Sequence, residues 1–518
     1  MMRSCTVVAV AVVLLAACGK NNGTVAVPAP PGVAPAPGVS GPAWPLFGRD
    51  AQHSAESAIA TQGLGRVVWS APVDLAAALD ANNSLLAHYG SPVVSSFNTV
   101  LLPVKTSANG GFRIEARAGG NGGLLWSLDS DYVPPPHDWM PSYNLSLTGT
   151  SRLYAPGSGG KLIVRDSVDS ATGGTSSFVF YGAQTYAANK AALDGAVFID
   201  TPVTVDGAGN AYFGVEVVGT NAAGLSTGGL ARVDASGNGS FVEAPVATGD
   251  ATMSKLAMNS APALSRDGAT VYAAFDGPAG GKGYLVALDS ATLTVKARTV
   301  LLDPRSGSPA FIDDNGSASP TVGPDGDVFF GVVEALRGSH NGRGWLLHFD
   351  AALAQTLVPG SFGWDDTASV LPSSMLPSYA GSSSYLLMTK YNNYLGAGTG
   401  DGQNRVAVLD PKASQTDPIS GLQVMREVAT MLGPTFEAGA SGPVKEWCIN
   451  TAAVDPATQS ILVNSEDGVL YRWSLSSNTF TERIRLTNGL GEAYTPTAVG
   501  ADGAVYAVSS AVLFSIGK

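Results

Sequence analysis

Few residues of this 518-residue chain combine the type and spacing that chemistry needs. Cys448 sits in VKEWCINTAAVD, where a thiolate nucleophile would need a nearby cation or base. Its flanks offer Glu446 and no histidine, so it reads as a structural thiol beside an inner strand. The histidines are His53, His88, His137, His340 and His348, and none stands at zinc-ligand spacing. DDNG (313–316) and DSD (129–131) lack the spaced oxygens and distal glutamate of a calcium loop. GSGGK (157–161) is followed by no helical pattern, which argues against a phosphate loop. No Gly-x-Ser-x-Gly elbow occurs. Asp365 and Asp366 are neighbours in sequence, so nothing sets them opposite each other as a hydrolase pair. No catalytic residue and no metal ligand is assigned.

Recognition chemistry is better represented. DSDYVPPPHDWMPSYN (129–144) brings His137, Asp138 and Trp139 together in a Pro-rich connection. SFGWDDTASVLPSSMLPSYAG (361–381) carries Trp364, Asp365 and Asp366, and KYNNYLGAGTGDGQN (390–404) carries Tyr391, Asn392, Asn393 and Tyr394. Trp, Tyr and Asn on such loops suit carbohydrate or protein recognition, or brace the loops against one another.

A repeat must position these loops. A small or polar residue plus Pro, an apolar stretch and often Asp-Gly recur as SPVVSSFNTVLLPV from Ser91, TPVTVDGAGNAYFGV from Thr201, APALSRDGATVYAAF from Ala261, SPTVGPDGDVFFGVV from Ser319 and TPTAVGADGAVYAVS from Thr495. Weaker copies start at Leu145, Tyr379 and Thr451. The period is about 58 residues, each unit holding two hairpins, which is the signature of a four-stranded propeller blade. Eight units predict an all-β, eight-bladed propeller, with seven blades plus an irregular insertion as the alternative. The last unit ends on its third strand, and GRVVWSAPV (65–73) matches the fourth, so the N-terminal strand is expected to close the ring and remove the open edge.

Residues just before each first strand then converge on one channel mouth. They are His88 and Tyr89, Tyr143 and Asn144, Asp200, Asn259, Ser317, Tyr379, Asn450, and Glu492 with Tyr494. This polar and aromatic ring suits a polar ligand or a peptide, or simply holds water.

The stretch AWPLFGRDAQHSAES (43–57), with ALDSATLTVKA (287–297) and RAGGNGGLLW (117–126), resembles the quinoprotein-like propellers. The resemblance covers roughly residues 44–518. It implies the propeller scaffold and, in the enzymes of that family, pyrroloquinoline quinone stacked between a Trp and a disulfide of adjacent cysteines beside Ca²⁺. This chain has no adjacent cysteines. The expectation is therefore a binding or scaffolding module without cofactor; the alternative is an oxidoreductase using that quinone with calcium, or a propeller hydrolase.

The first 17 residues read as a secretory signal: Arg3, an apolar run from Val7 to Leu15, then Leu15-Ala16-Ala17-Cys18. The ending resembles the bacterial lipobox, implying a lipid on Cys18. Gly19 in place of Asp points to the outer membrane, facing the periplasm or the surface. Residues 18–43 are a Pro/Gly/Ala-rich tether. A net charge of −12 without a basic cluster argues against nucleic acid. With one cysteine left in the domain, no internal disulfide supports it. A monomer contacting an envelope protein or glycan is the expectation.

Overall fold

The computed structural model describes residues 39–79, 85–277, 280–314, 316–335, 343–355, 357–393, 400–437, 441–447, 449–489 and 496–518. Cys18, Cys448, Tyr394, Glu492 and Tyr494 lie outside them. Eight antiparallel sheets form a propeller. The first blade is Val93–Val94, Thr99–Ser107, Gly110–Ala118 and Leu124–Ser130, and the second is Ser146–Leu147, Leu153–Pro156, Lys161–Arg165 and Thr175–Val179. Inner strands of the third to seventh blades are Thr204–Val205, Ala263–Leu264, Thr321–Val322, Ser369–Pro372 and Ala453–Asp455. The last blade runs Ala498–Val499, Val505–Ser509 and Val512–Gly517, and Arg66–Pro72 pairs antiparallel with its third strand. The N-terminal strand thus closes the ring as the sequence predicts.

Aromatic side chains of the repeat hold adjacent blades together. Tyr154, Tyr212 and Tyr272 are buried on the second strands of consecutive blades. Each hydroxyl donates to a turn of the next blade, at Gly209 O (3.1 Å), Ser290 O (3.0 Å) and Ala351 O (3.0 Å). Trp69 of the closing strand donates its indole N–H to Gly119 O of the first blade at 2.6 Å, and Trp126 does the same to Val168 O of the second at 2.7 Å. Their rings bury apolar area while the polar tip is satisfied.

The segment before the closing strand makes one circuit of the hub at the rear face, where the inner strands end. Carbonyls of Trp44, Pro45, Ala51, Gln52, Ser54 and Ala55 accept in turn the N–H groups of Val94, Leu147, Leu264, Val322, Val370 and Val454, at 2.7 to 3.0 Å. These donors belong to the first, second, fourth, fifth, sixth and seventh blades, in chain order. Gln62 N then reaches Gly503 O of the eighth at 2.7 Å. Beside the third blade the segment borders a groove of about 500 Å³ lined by Leu46, Arg49, Val205, Asp206 and Arg266. So tight a circuit needs left-handed backbone at Gly48, Arg49, His53 and Ala55.

Two features depart from the sequence reading. The weak copy at Tyr379 is not the start of the sixth blade, whose inner strand Ser369–Pro372 lies upstream. Tyr379 sits in the hairpin after it, away from the channel mouth, and donates its hydroxyl to Asp410 Oδ2 at 2.7 Å. The misreading arises because that strand carries no Pro-x-x-Asp-Gly signature, and the blade's long outer strands, Arg405–Thr416 and Gln423–Leu432, stretch the period. The second departure is a helix, Ala183–Asp194, between the second and third blades. Its Tyr186 ring packs where a side chain on Gly159 would stand, so GSGGK is the glycine seat of a helix.

His53, fully buried in the circuit, has Nδ1 2.7 Å from Pro320 O, and burial pushes its imidazole down to about 4. The unfolded chain takes up a proton that the folded hub refuses. This contribution to stability is whole above pH about 6.5 and is lost as the pH falls toward about 4, up to about 3 kcal/mol. Thermal melts across that window should show His53→Asn, a residue that tolerates the same backbone, losing less stability on acidification than the wild type. Equal slopes would exclude His53 as the acid-sensitive group.

Candidate functional site

The front face, where the inner strands begin, gathers most of the described mouth residues, and they bond mainly to one another. Asn259 accepts from Ser142 N (2.9 Å) and Oγ (3.1 Å) and donates to Gly316 O (3.2 Å), bridging the second, fourth and fifth blades. Asn450 Nδ2 donates to Ser317 O (2.6 Å) and Oγ (2.7 Å), reaching from the seventh blade past the sixth to the fifth. Asp365 accepts from Ser317 N at 2.7 Å and from its hydroxyl, with Lys390 Nζ 3.5 Å away. Asn144 accepts from Ser91 N at 2.9 Å and donates to Ser142 Oγ at 2.7 Å. All are buried. These amides lace the blades together across the top of the channel.

The aromatic candidates are mostly internal. Tyr143 stacks on Phe112 with ring centroids 4.7 Å apart and donates to Pro156 O at 3.2 Å. Tyr89 donates to Asp74 Oδ2 at 3.1 Å, and buried Lys105 Nζ donates to both oxygens of that carboxylate, at 3.0 and 2.9 Å. Tyr391 is buried, accepts from Arg343 and from Ser361 Oγ (2.7 Å), and donates to Asp417 at 3.2 Å. Asn392 pairs with both backbone groups of Trp447, at 2.8 and 3.1 Å. Trp364 is buried beside Gly316.

The 129–144 connection is different. His137 and Asp138 are exposed and Trp139 is half-buried, its ring 5.6 Å from that of His88. His137 Nδ1 lies 2.6 Å from Pro135 O, a local contact that fixes the ring. With Met140 the two polar residues line a cleft of about 340 Å³ walled by Ala78, Leu86, Ala87 and Ala108, with Lys105 also contributing.

Beside this cleft stands a group that motif reasoning did not anticipate beyond Asp200. Lys255 Nζ, buried, lies 2.9 Å from Asp314 and 3.5 Å from Glu216. Asp200, only 3 % exposed, has neither carboxyl oxygen in a hydrogen bond. Burial holds Asp200 and Asp276 well above the usual carboxylate range, and raises Glu216 and Asp314 as well. Glu216 and Asp276 end the second strands of their blades, positions that only the register of the sheets brings to the front face. Among the described residues no three His, Cys, Asp or Glu side chains are placed to share a metal ion.

No family model and no curated protein sequence matches the chain. Among solved structures, quinohemoprotein alcohol dehydrogenase from Comamonas testosteroni is 11% identical, with a TM-score of 0.55 over 92% of this chain and 81% of that one. A europium-containing methanol dehydrogenase is 10% identical, with a TM-score of 0.55 over 90% and 88%. A looser likeness, TM-score 0.43 at 14% identity over 88% and 99%, is to BamB from Moraxella catarrhalis. The chain has an eight-bladed propeller fold like that of the two dehydrogenases. At these identities the likeness carries the architecture and no activity.

The adjacent-cysteine platform that the resemblance implies for quinone binding is missing from the sequence.

Asp366 offers a test of how the mouth tolerates buried acids. It is fully buried, accepts from Thr389, and burial pushes its carboxyl up to about 7. Its folded value lies above the unfolded one, so its favourable contribution is whole below pH about 4 and is lost as the pH rises to about 7, up to about 4 kcal/mol. Asp366→Asn should therefore gain stability over the wild type in denaturant titrations at pH 8 and little at pH 4. A variant less stable at pH 8 than at pH 4, relative to wild type, would contradict this.

Proposed function

We propose that this chain is a non-catalytic binding or scaffolding propeller of the cell envelope. In this reading a lipid on Cys18 anchors it, in the outer membrane, and residues 18–43 hold the propeller off the bilayer. It acts as a monomer whose front face recognises an envelope protein or glycan. The observation that carries the reading is the division of labour on that face. The mouth amides are engaged in bonds between blades. What faces solvent is the His137–Asp138 rim with its cleft, recognition chemistry on a rigid ring.

Two measurements separate this from an oxidoreductase. Pyrroloquinoline quinone with Ca²⁺ should leave the melting midpoint unchanged and add no cofactor absorption band; a ligand at one hundred times its Kd would add about 2.7 kcal/mol. A photo-crosslinker at Asp138, in native envelope, should give a discrete adduct that the same group at Asp267 on the rear face does not. Quinone-dependent alcohol oxidation, or adducts from the rear face only, would overturn the proposal.

A further inference from the structure

The carboxyl group between the third, fourth and fifth blades is out of balance. Asp200, Glu216, Asp276 and Asp314 surround one buried cation, Lys255. Among the described residues Lys255 bonds Asp314 and Glu216, and neither Asp200 oxygen bonds another residue; Asp276 Oδ2 and Asp314 Oδ1 are likewise without a partner. Buried acceptors without donors are rare in folded proteins because each costs about 1–3 kcal/mol. The backbone here is shaped around the carboxyl: a side chain on Gly214 would collide with Asp200 Oδ1. The group opens to solvent through the side chains of Glu216, 14% exposed, and Asp314, 25% exposed.

We propose that this group receives a basic side chain, arginine or lysine, on a peptide segment of a partner protein, with an adjacent apolar residue of that segment in the cleft beside His137 and Asp138. The inference rests on the front-face reading above and names its ligand. A cation supplies the donors that Asp200 and Asp314 lack, and a guanidinium bonds carboxylates bidentately. A single metal ion suits the site less, because no three ligating side chains come together and Lys255 already places a positive charge among them. A peptide suits it better than a free amine, because the neighbouring cleft is walled by Ala78, Leu86, Ala87 and Met140. Leu75 and Leu79 of the same segment as Ala78, and Val133 of the His137 connection, are exposed nearby in sequence. His137 and Asp138 of the cleft lie within electrostatic reach of Glu216 and Asp314 respectively.

Binding is coupled to protons. Asp200 is faced by Glu216, Lys255, Asp314 and Tyr132, while Asp276 is faced by Asp313, Asp314 and Lys255. An incoming cation favours their ionised forms, so docking releases protons and tightens as the pH rises.

The test is fluorescence anisotropy of the full chain with a labelled peptide alternating leucine and arginine, and with the same peptide carrying glutamine for arginine. The arginine peptide should bind, at least tenfold more tightly at pH 8 than at pH 5, and at least tenfold more weakly to Asp200→Asn. That variant removes an unpartnered buried acid and should melt no lower than wild type. Should it fail to fold, the exposed Asp138→Asn must weaken binding about threefold. Equal binding by wild type and variants, equal binding of the glutamine peptide, spermidine binding as tightly as the peptide, or displacement of the peptide by Ca²⁺ would each overturn the proposal. If Asp138 crosslinks as above but neither peptide binds, the ligand class falls and the front-face reading stands.

Discussion

Every innermost strand of a propeller has an inner edge whose backbone N–H groups point into the hub, away from any neighbouring strand. Buried donors must be paired. In this ring they are paired by the chain itself: the segment from Trp44 to Ala55 passes six blades in order and presents one carbonyl to each. Arg66–Pro72 then becomes the outer strand of the last blade. One stretch thus satisfies the hub and closes the circle, joining the centre of the ring to its rim. Each blade's inner strand is only a few residues long, so the ladder within a blade cannot hold it in place alone. The circuit and the Tyr and Trp bonds between blades supply the rest.

With the rear hub filled by backbone, the front face carries the openings to the channel that side chains alone control. There the ring spends its amides on itself. Asn259 and Asn450 each reach past a neighbouring blade, which stiffens the mouth and removes from it the side chains best suited to hold a polar ligand. Groups not absorbed by this lacing are the 129–144 rim and the carboxyls around Lys255.

The repeat made the blades legible because hairpin turns and alternating apolar residues are local properties. Tyr154, Tyr212 and Tyr272 recur at one place in the pattern, and Trp69 pairs with Trp126 by motif, so closure of the ring could be read from the ends of the chain. The sixth blade escaped because its inner strand lacks the turn signature, and a stronger apolar run beginning near Tyr379 stood in for it. Helix Ala183–Asp194 escaped because its role is to cover Gly159, a contact no local pattern encodes. At the mouth, sequence position set His88, Asn144, Asp200, Asn259 and Asn450 just before inner strands. It could not say which of them would be consumed by neighbouring blades.

The sequence by itself determined the kind of blade, the strand that closes the ring and the absence of an adjacent-cysteine platform, since each is written in local pattern or composition, while eight blades rather than seven waited for the fold. Only the tertiary structure decided that AWPLFGRDAQHSAES circles the hub, that the mouth amides bond across blades, and that Glu216, Asp276 and Asp314 gather around Lys255 beside Asp200. Those outcomes depend on which residues from distant blades meet and on how much water remains between them. Burial and pairing of that kind are properties of the assembled ring, and no single repeat contains them.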